Sequence, residues 1–184
     1  MASSLFVLGG ARSGKSRFAV SSQPPHARVA FVATAEAGDA DMAARIARHR
    51  AERPRHWITV EEPVDLVRRL EKLVGTVDAV LVDCLTLWVS NRLLRGDADG
   101  AILDECEGLA ALVRRRLYGV TLVSNEVGEG VHPETAAGLR FRDLLGLVNQ
   151  TVAAVSDRVV LMVAGHPLTV KEALPSDDVP PEAP

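Results

Sequence analysis

"LFVLGGARSGKS", from Leu5 to Ser16, runs from four apolar residues into a glycine-rich stretch and ends in a lysine and a serine. Gly9, Gly10, Ala11, Arg12, Ser13, Gly14, Lys15 and Ser16 fit the pattern G-x-x-x-x-G-K-S/T, which must stand between a strand and a helix, and here it does. Glycine lets the backbone turn its N–H groups toward a polyphosphate, the helix start adds favourable partial charge, and Lys15 reaches the β- and γ-phosphates. Ser16 is placed to ligate Mg²⁺. A chance match in a glycine-rich turn is the alternative, and the flanking strand and helix disfavour it.

Outward from this loop, short apolar runs recur: "VAFVA" at 29 to 33, "AVLV" at 79 to 82, "VTLV" at 120 to 123 and "VVLMV" at 159 to 163. They lack polar alternation, as strands buried on both faces do. Helical stretches are predicted between them, at 15 to 22, 39 to 53, 64 to 74, 85 to 94, 102 to 118 and 135 to 156. The pattern predicts a single α/β domain over residues 1 to 173, a mostly parallel sheet flanked by helices. Ligands in such sheets collect beyond the carboxyl ends of the strands. The tail "LPSDDVPPEAP" is proline-rich and acidic, and residues 174 to 184 are predicted to be disordered.

A second acid is needed to hold the metal or its water, and Asp83 stands directly after "AVLV". Asp83 also suits the N-cap of the following helix, and the two roles are compatible. Cys84 beside it reads as packing. Cys84 and Cys106 make neither a disulfide framework nor a zinc site, which fits a reducing cytosol.

The chain has 184 residues, is 47% hydrophobic and carries a formal net charge of -3 with a pI near 6.0. That balance gives no reason to expect nucleic acid as a partner. With no apolar run of about 18 residues, no membrane span is expected, and a cytoplasmic protein is. The three lysines are Lys15, Lys72 and Lys171, and none follows an asparagine, so the guanine-reading N-K-x-D pattern is absent.

In "ARIARHRAERPRHW", residues 44 to 57, His49 falls on a helical stripe with Met42, Ile46 and Arg53. Arg45 and Arg53 each lie about 40° from it at 100° per residue. Two flanking cations bias an imidazole toward its neutral form and attract phosphate, which describes a nucleophile. The competing reading is a histidine on an ordinary amphipathic helix, its arginines solvated or paired with Asp41 and Glu52. His26, His56, His132 and His166 are weaker candidates.

Five blocks together carry a resemblance: "GGARSGKS", "VATAEAGDADMAARIARHRAERPRHWITVEEP", "VLVDCLTLWVSN", "SNEVGEGVHPE" and "FRDLLGLVNQ". The chain closely resembles the bifunctional adenosylcobinamide kinase/adenosylcobinamide-phosphate guanylyltransferase family of cobalamin biosynthesis, from about Leu5 to about Lys171. The resemblance implies a P-loop NTPase-like, RecA-like fold. It implies phosphorylation of the aminopropanol hydroxyl of adenosylcobinamide, then GMP transfer from GTP onto that phosphate with loss of pyrophosphate. It makes His49 the residue that carries GMP. By the same resemblance Gly9 to Ser16 hold the triphosphate; Thr34, Ala35, Glu36, Arg50, Ala51, Glu52 and Arg53 contact nucleotide; and Glu61 and Asp83 complete the site. It implies Mg²⁺ at Ser16 and Asp83, GTP and ATP as substrates, a corrinoid partner and a homotrimer. Asn125, Glu126, Asn149 and Gln150 belong to its blocks without an assigned role. His132 before Pro133, where a more apolar residue is expected, and the acidic tail depart from the pattern.

Overall fold

Strands buried on both faces need neighbours on both edges, and five apolar runs find them in the centre of one sheet. The computed structural model describes residues 2–36, 53–130 and 132–172. Its strands are β1 (Ser4–Gly9), β2 (Val29–Ala33), β3 (Ile58–Glu61), β4 (Ala79–Asp83), β5 (Gly119–Val123), β6 (Arg158–Val163) and β7 (His166–Lys171), in the order β3-β2-β4-β5-β1-β6-β7. All pairs run parallel except β6 with β7, an antiparallel hairpin. The described helices are α1 (Lys15–Ser21), α2 (Leu66–Glu71), α3 (Leu85–Leu94), α4 (Asp99–Arg114) and α5 (Ala136–Val155).

Alternation along the strands divides the core in two. Phe6, Val32, Val80, Val82, Val120 and Leu122 face α2 to α5, where Trp88, Ile102, Leu109, Leu145 and Val148 complete the larger cluster. Each fully buried large side chain there stabilises by about 1.5–3 kcal/mol. Val7, Phe31, Ala33, Leu81, Val123 and Met162 face the other way, onto Phe18, Ala19 and Val20 of α1. Helices thus cover both faces, as the sequence predicts.

Two strands were not among the predicted elements, and both are edges. β3 is only four residues long and half exposed, and β7 is exposed throughout and contains Pro167. A strand paired on one side need not be apolar, so neither announces itself by composition. The helix predicted at 39 to 53, apart from its last residue, lies outside the described residues, as do His49 and the tail at 174 to 184.

Candidate nucleotide site

The loop between β1 and α1 depends on two glycines. A Cβ at Gly9, with φ at 150°, would lie 2.7 Å from both the Met162 carbonyl oxygen and Ser13 Oγ. Gly14, with φ at 95°, is the left-handed residue that turns the chain into α1. Lys15 is buried and its Nζ donates to the Gly10 carbonyl at 2.6 Å. Ser13 is held from behind, its carbonyl accepting from Gly165 N in the β6–β7 turn at 3.0 Å. Its hydroxyl is buried and finds no hydrogen-bond partner among the described residues. An unsatisfied buried hydroxyl inside a turn of this shape is suited to a ligand oxygen.

The strand order sets what stands beside that loop. β5 lies between β1 and β4, so Asp83 is two strand spacings, about 10 Å, from β1, at the level of Val7 and two residues short of Gly9. Leu81 faces α1, so Asp83, two residues on, projects to the same side as the phosphate loop. Its backbone is fixed by neighbours. The Asp83 carbonyl accepts from Thr34 N at 3.2 Å, while the buried Thr34 hydroxyl accepts from Cys84 N at 2.8 Å and donates to the Cys84 carbonyl at 2.7 Å. Asn91 of α3 donates to the carbonyls of Thr34 and Pro63 at 2.7 and 3.1 Å, tying the β2 and β3 exits together.

Burial pushes the Cys84 thiol up to about 11, and the Asp83 charge adds to the rise. Burial likewise raises the Cys106 thiol to about 12. Neither is a thiolate near neutral pH, which agrees with their reading as packing.

Ser16 and Asp83 offer a hydroxyl and a carboxylate, the hard oxygen donors that Mg²⁺ prefers. No group of three or more His, Cys, Asp or Glu capable of holding a metal occurs among the described residues. A Mg²⁺ here fits only with phosphate and water oxygens completing its shell, which is its habit at nucleotide sites.

The remaining nucleotide candidates spread along the strand tips. Thr34, Ala35 and Glu36 follow β2. Arg53 sits on the α1 side with its guanidinium 3.4 Å from the Phe31 ring centroid, its Nη1 3.4 Å from Thr59 Oγ1. Glu61 ends the edge strand β3, four spacings or about 19 Å from β1, so it stands away from the phosphate loop. Arg50, Ala51 and Glu52 lie outside the described residues. His26, His56, His132 and His166 are all exposed, and His132 Nδ1 is 3.0 Å from Arg142 Nη1.

Sequence reasoning left out Thr86 and Ser124. Thr86 is buried in the first turn of α3; its Oγ1 accepts from Asn125 N at 2.7 Å and lies 3.4 Å from the buried Ser124 Oγ. Asn149, buried on α5, donates to the Asn125 carbonyl at 3.1 Å, whereas Gln150 is exposed. The signal for Thr86 and Asn149 was a polar residue on an otherwise apolar helix face, and for Ser124 a polar residue directly after an apolar strand; neither names a partner by itself.

Residues 5–170 match the family described as cobinamide kinase / cobinamide phosphate guanyltransferase. Among curated relatives, the bifunctional adenosylcobalamin biosynthesis protein CobP of Pseudomonas aeruginosa is 44% identical over 172 residues, covering 90% of this chain and 95% of that protein. The corresponding CobU proteins of Escherichia coli and Salmonella typhimurium are 39% and 40% identical, each covering 91% of this chain and 99% of the relative. Among solved structures, a KaiC-like protein from Pyrococcus horikoshii superimposes with a TM-score of 0.51 at 14% identity, over 86% of this chain and 70% of that one. A type III secretion ATPase gives 0.50 at 11% identity, over 88% and 51%. The last two likenesses concern the fold, which is that of P-loop NTPases. With residues 5–170 matched and these relatives 39–44% identical over 90–91% of its length, the chain belongs to the cobinamide kinase / cobinamide phosphate guanyltransferase family.

Proposed function

We propose that this protein phosphorylates the aminopropanol hydroxyl of adenosylcobinamide and then transfers GMP from GTP to that phosphate through His49. The observation that carries the reading is the phosphate loop at the tip of β1 with Asp83 on its face of the sheet, in a chain 44% identical to a bifunctional relative. Lys15 and the loop N–H groups grip the β- and γ-phosphates, and the Ser13 hydroxyl takes a further phosphate oxygen. Ser16 and Asp83 hold Mg²⁺, which when bound offsets phosphate charge. Arg53, fixed on Phe31, contributes positive charge toward the β2 and β3 tips, where Thr34, Ala35, Glu36 and Glu61 meet the nucleoside together with Arg50, Ala51 and Glu52.

In the second step the neutral imidazole of His49 attacks the α-phosphorus of GTP. A P–N bond forms, pyrophosphate leaves, and the corrinoid phosphate oxygen later displaces the histidine to give adenosylcobinamide-GDP. No helix among the described residues is long and apolar enough to cross a membrane, and both cysteines are free, which supports a place in the reducing cytoplasm.

The active form in this reading is a homotrimer. Val163, Leu168 and Val170 of the β6–β7 hairpin and Leu147 of α5 are between 48% and 61% exposed. Val160 and Met162 are buried on the α1 face, so Val163 turns to the α5 side, as does Leu168, which pairs with Leu161, giving apolar surface suited to another copy.

GTP labelled at the α-phosphate should leave an acid-labile, base-stable adduct on the protein, absent in His49→Asn. Protein-bound label from the γ-phosphate instead would overturn guanylylation.

A further inference from the structure

The chain segment after β5 continues as strand beyond its last assigned residue. Ser124 N donates to the Val7 carbonyl at 3.0 Å and Glu126 N to the Gly9 carbonyl at 3.1 Å, the spacing of a parallel ladder against β1. Side-chain alternation therefore extends through Asn125. Leu122 faces α3 to α5 and Val123 faces α1; Ser124 turns back to α3, where its hydroxyl meets Thr86. Asn125 consequently projects to the α1 face, with Lys15 and Asp83.

Its position is central. β5 separates the strand that leads into the Gly9–Ser16 loop from the strand that ends in Asp83, so Asn125 stands beside Gly9 at one strand spacing, about 5 Å, and two residues, about 7 Å along the strand, beyond the level of Asp83. Its backbone is held at both ends by buried side chains, N–H by Thr86 and carbonyl by Asn149, which are anchored on different helices. Glu126 does not compete for that space, because its Oε1 accepts from Gly128 N at 2.8 Å within its own loop. The Asn125 carboxamide is half-buried and hydrogen-bonds to no side chain or backbone group among the described residues. A rigid backbone presenting an unengaged amide between two phosphate-handling groups is preorganised to bind something that arrives there.

We infer that Asn125 is a catalytic residue of the phosphorylation step, its Nδ2 donating to an equatorial oxygen of the γ-phosphoryl group in flight. In that step the substrate hydroxyl oxygen forms a bond to the γ-phosphorus. The bond from that phosphorus to the β,γ-bridging oxygen breaks, its electron pair leaves on the nucleoside diphosphate, and the hydroxyl proton passes to solvent. A neutral donor accompanies the transferring group without adding charge, and it acts where charge shifts during γ-transfer. Attack at the α-phosphorus moves the reacting centre away from Asn125.

The two half-reactions therefore test it. In Asn125→Ala, kcat for cobinamide phosphorylation should fall about 100-fold or more, while the rate of labelling by α-labelled GTP stays within about threefold. Because the carboxamide supports no other residue, the melting temperature should stay within about 2 °C. Asn125→Asp, equal in size but placing a carboxylate against phosphate, should lose at least as much phosphorylation, and it serves if the alanine protein folds poorly. Equal losses in both half-reactions, or a drop in melting temperature that accounts for both, would make the residue structural and overturn the inference. An unchanged phosphorylation rate overturns it as well. The inference rests on the kinase half of the proposed function: wild-type protein that makes no cobinamide phosphate defeats both, whereas active wild type with fully active Asn125→Ala defeats the inference alone.

Discussion

Single side chains settle how firmly the Gly9–Ser16 loop is shaped. Gly9→Ala drives a methyl group against the Met162 carbonyl and Ser13, so it should lower stability by about 2 kcal/mol and weaken nucleotide binding. Denaturant unfolding and a nucleotide titration read the two effects. Thr34→Val removes a buried hydroxyl that both accepts from and donates to Cys84, leaving that peptide unpaired beside Asp83. Its cost should be about 2 kcal/mol by the same unfolding measurement, with weaker nucleotide binding because Asp83 loses its support. The places of Gly9 to Ser16 between a strand and a helix and of Asp83 at a strand end were legible from sequence, since each is tied to a local pattern, a loop spacing or the end of an apolar run. Thr34 was legible only as a position at a strand end. Its partner is 50 residues away, and no local pattern encodes a contact at that separation.

Among the elements, the β6–β7 hairpin turns on two residues, Ala164 and Gly165, both at positive φ, 50° and 86°. Two-residue turns of this kind favour asparagine and glycine, and alanine in the left-handed region costs about 1 kcal/mol. Ala164→Asn should therefore stabilise the protein by about 0.5 kcal/mol, seen as a higher urea midpoint with an unchanged slope. The same contrast explains which elements could be read in advance. Buried central strands such as "VAFVA" declare themselves by composition, because both faces must be apolar. The sequence "HPLTVK" is not among the predicted strands: β7 is an exposed edge strand and its order comes from pairing with β6. α4 begins at Asp99, three residues before the helix predicted from apolar spacing at Ile102, because its first turn is exposed and carries no apolar signal.

Across the whole molecule, two ion pairs between residues far apart in sequence tie the starts of neighbouring strands, Arg28 with Asp78 before β2 and β4, and Arg116 with Asp157 before β5 and β6. Asp78 is held down to about 2 by hydrogen bonds from Arg28. Asp157 is lowered too: burial opposes the shift, but hydrogen bonds from Arg116 and from the backbone and hydroxyl of Ser4 outweigh it. A carboxylate with a depressed folded-state pKa contributes stability that is fully present above its unfolded value near 3.9 and is lost as pH falls through the folded value. Unfolding free energy should be level above roughly pH 5 and fall toward pH 2, and Asp157→Asn should flatten that fall while lowering the plateau. Urea titrations across that range check both. The clasp between Gly165 and the Ser13 carbonyl has a further consequence at this scale. It connects the Gly9–Ser16 loop to the hairpin whose outer face is proposed to meet another copy; under that proposal ligand and assembly would be thermodynamically linked, and each should tighten the other by one common factor. Nucleotide affinity should then weaken as the protein is diluted through its own association constant; an affinity indifferent to dilution would show that the hairpin transmits nothing.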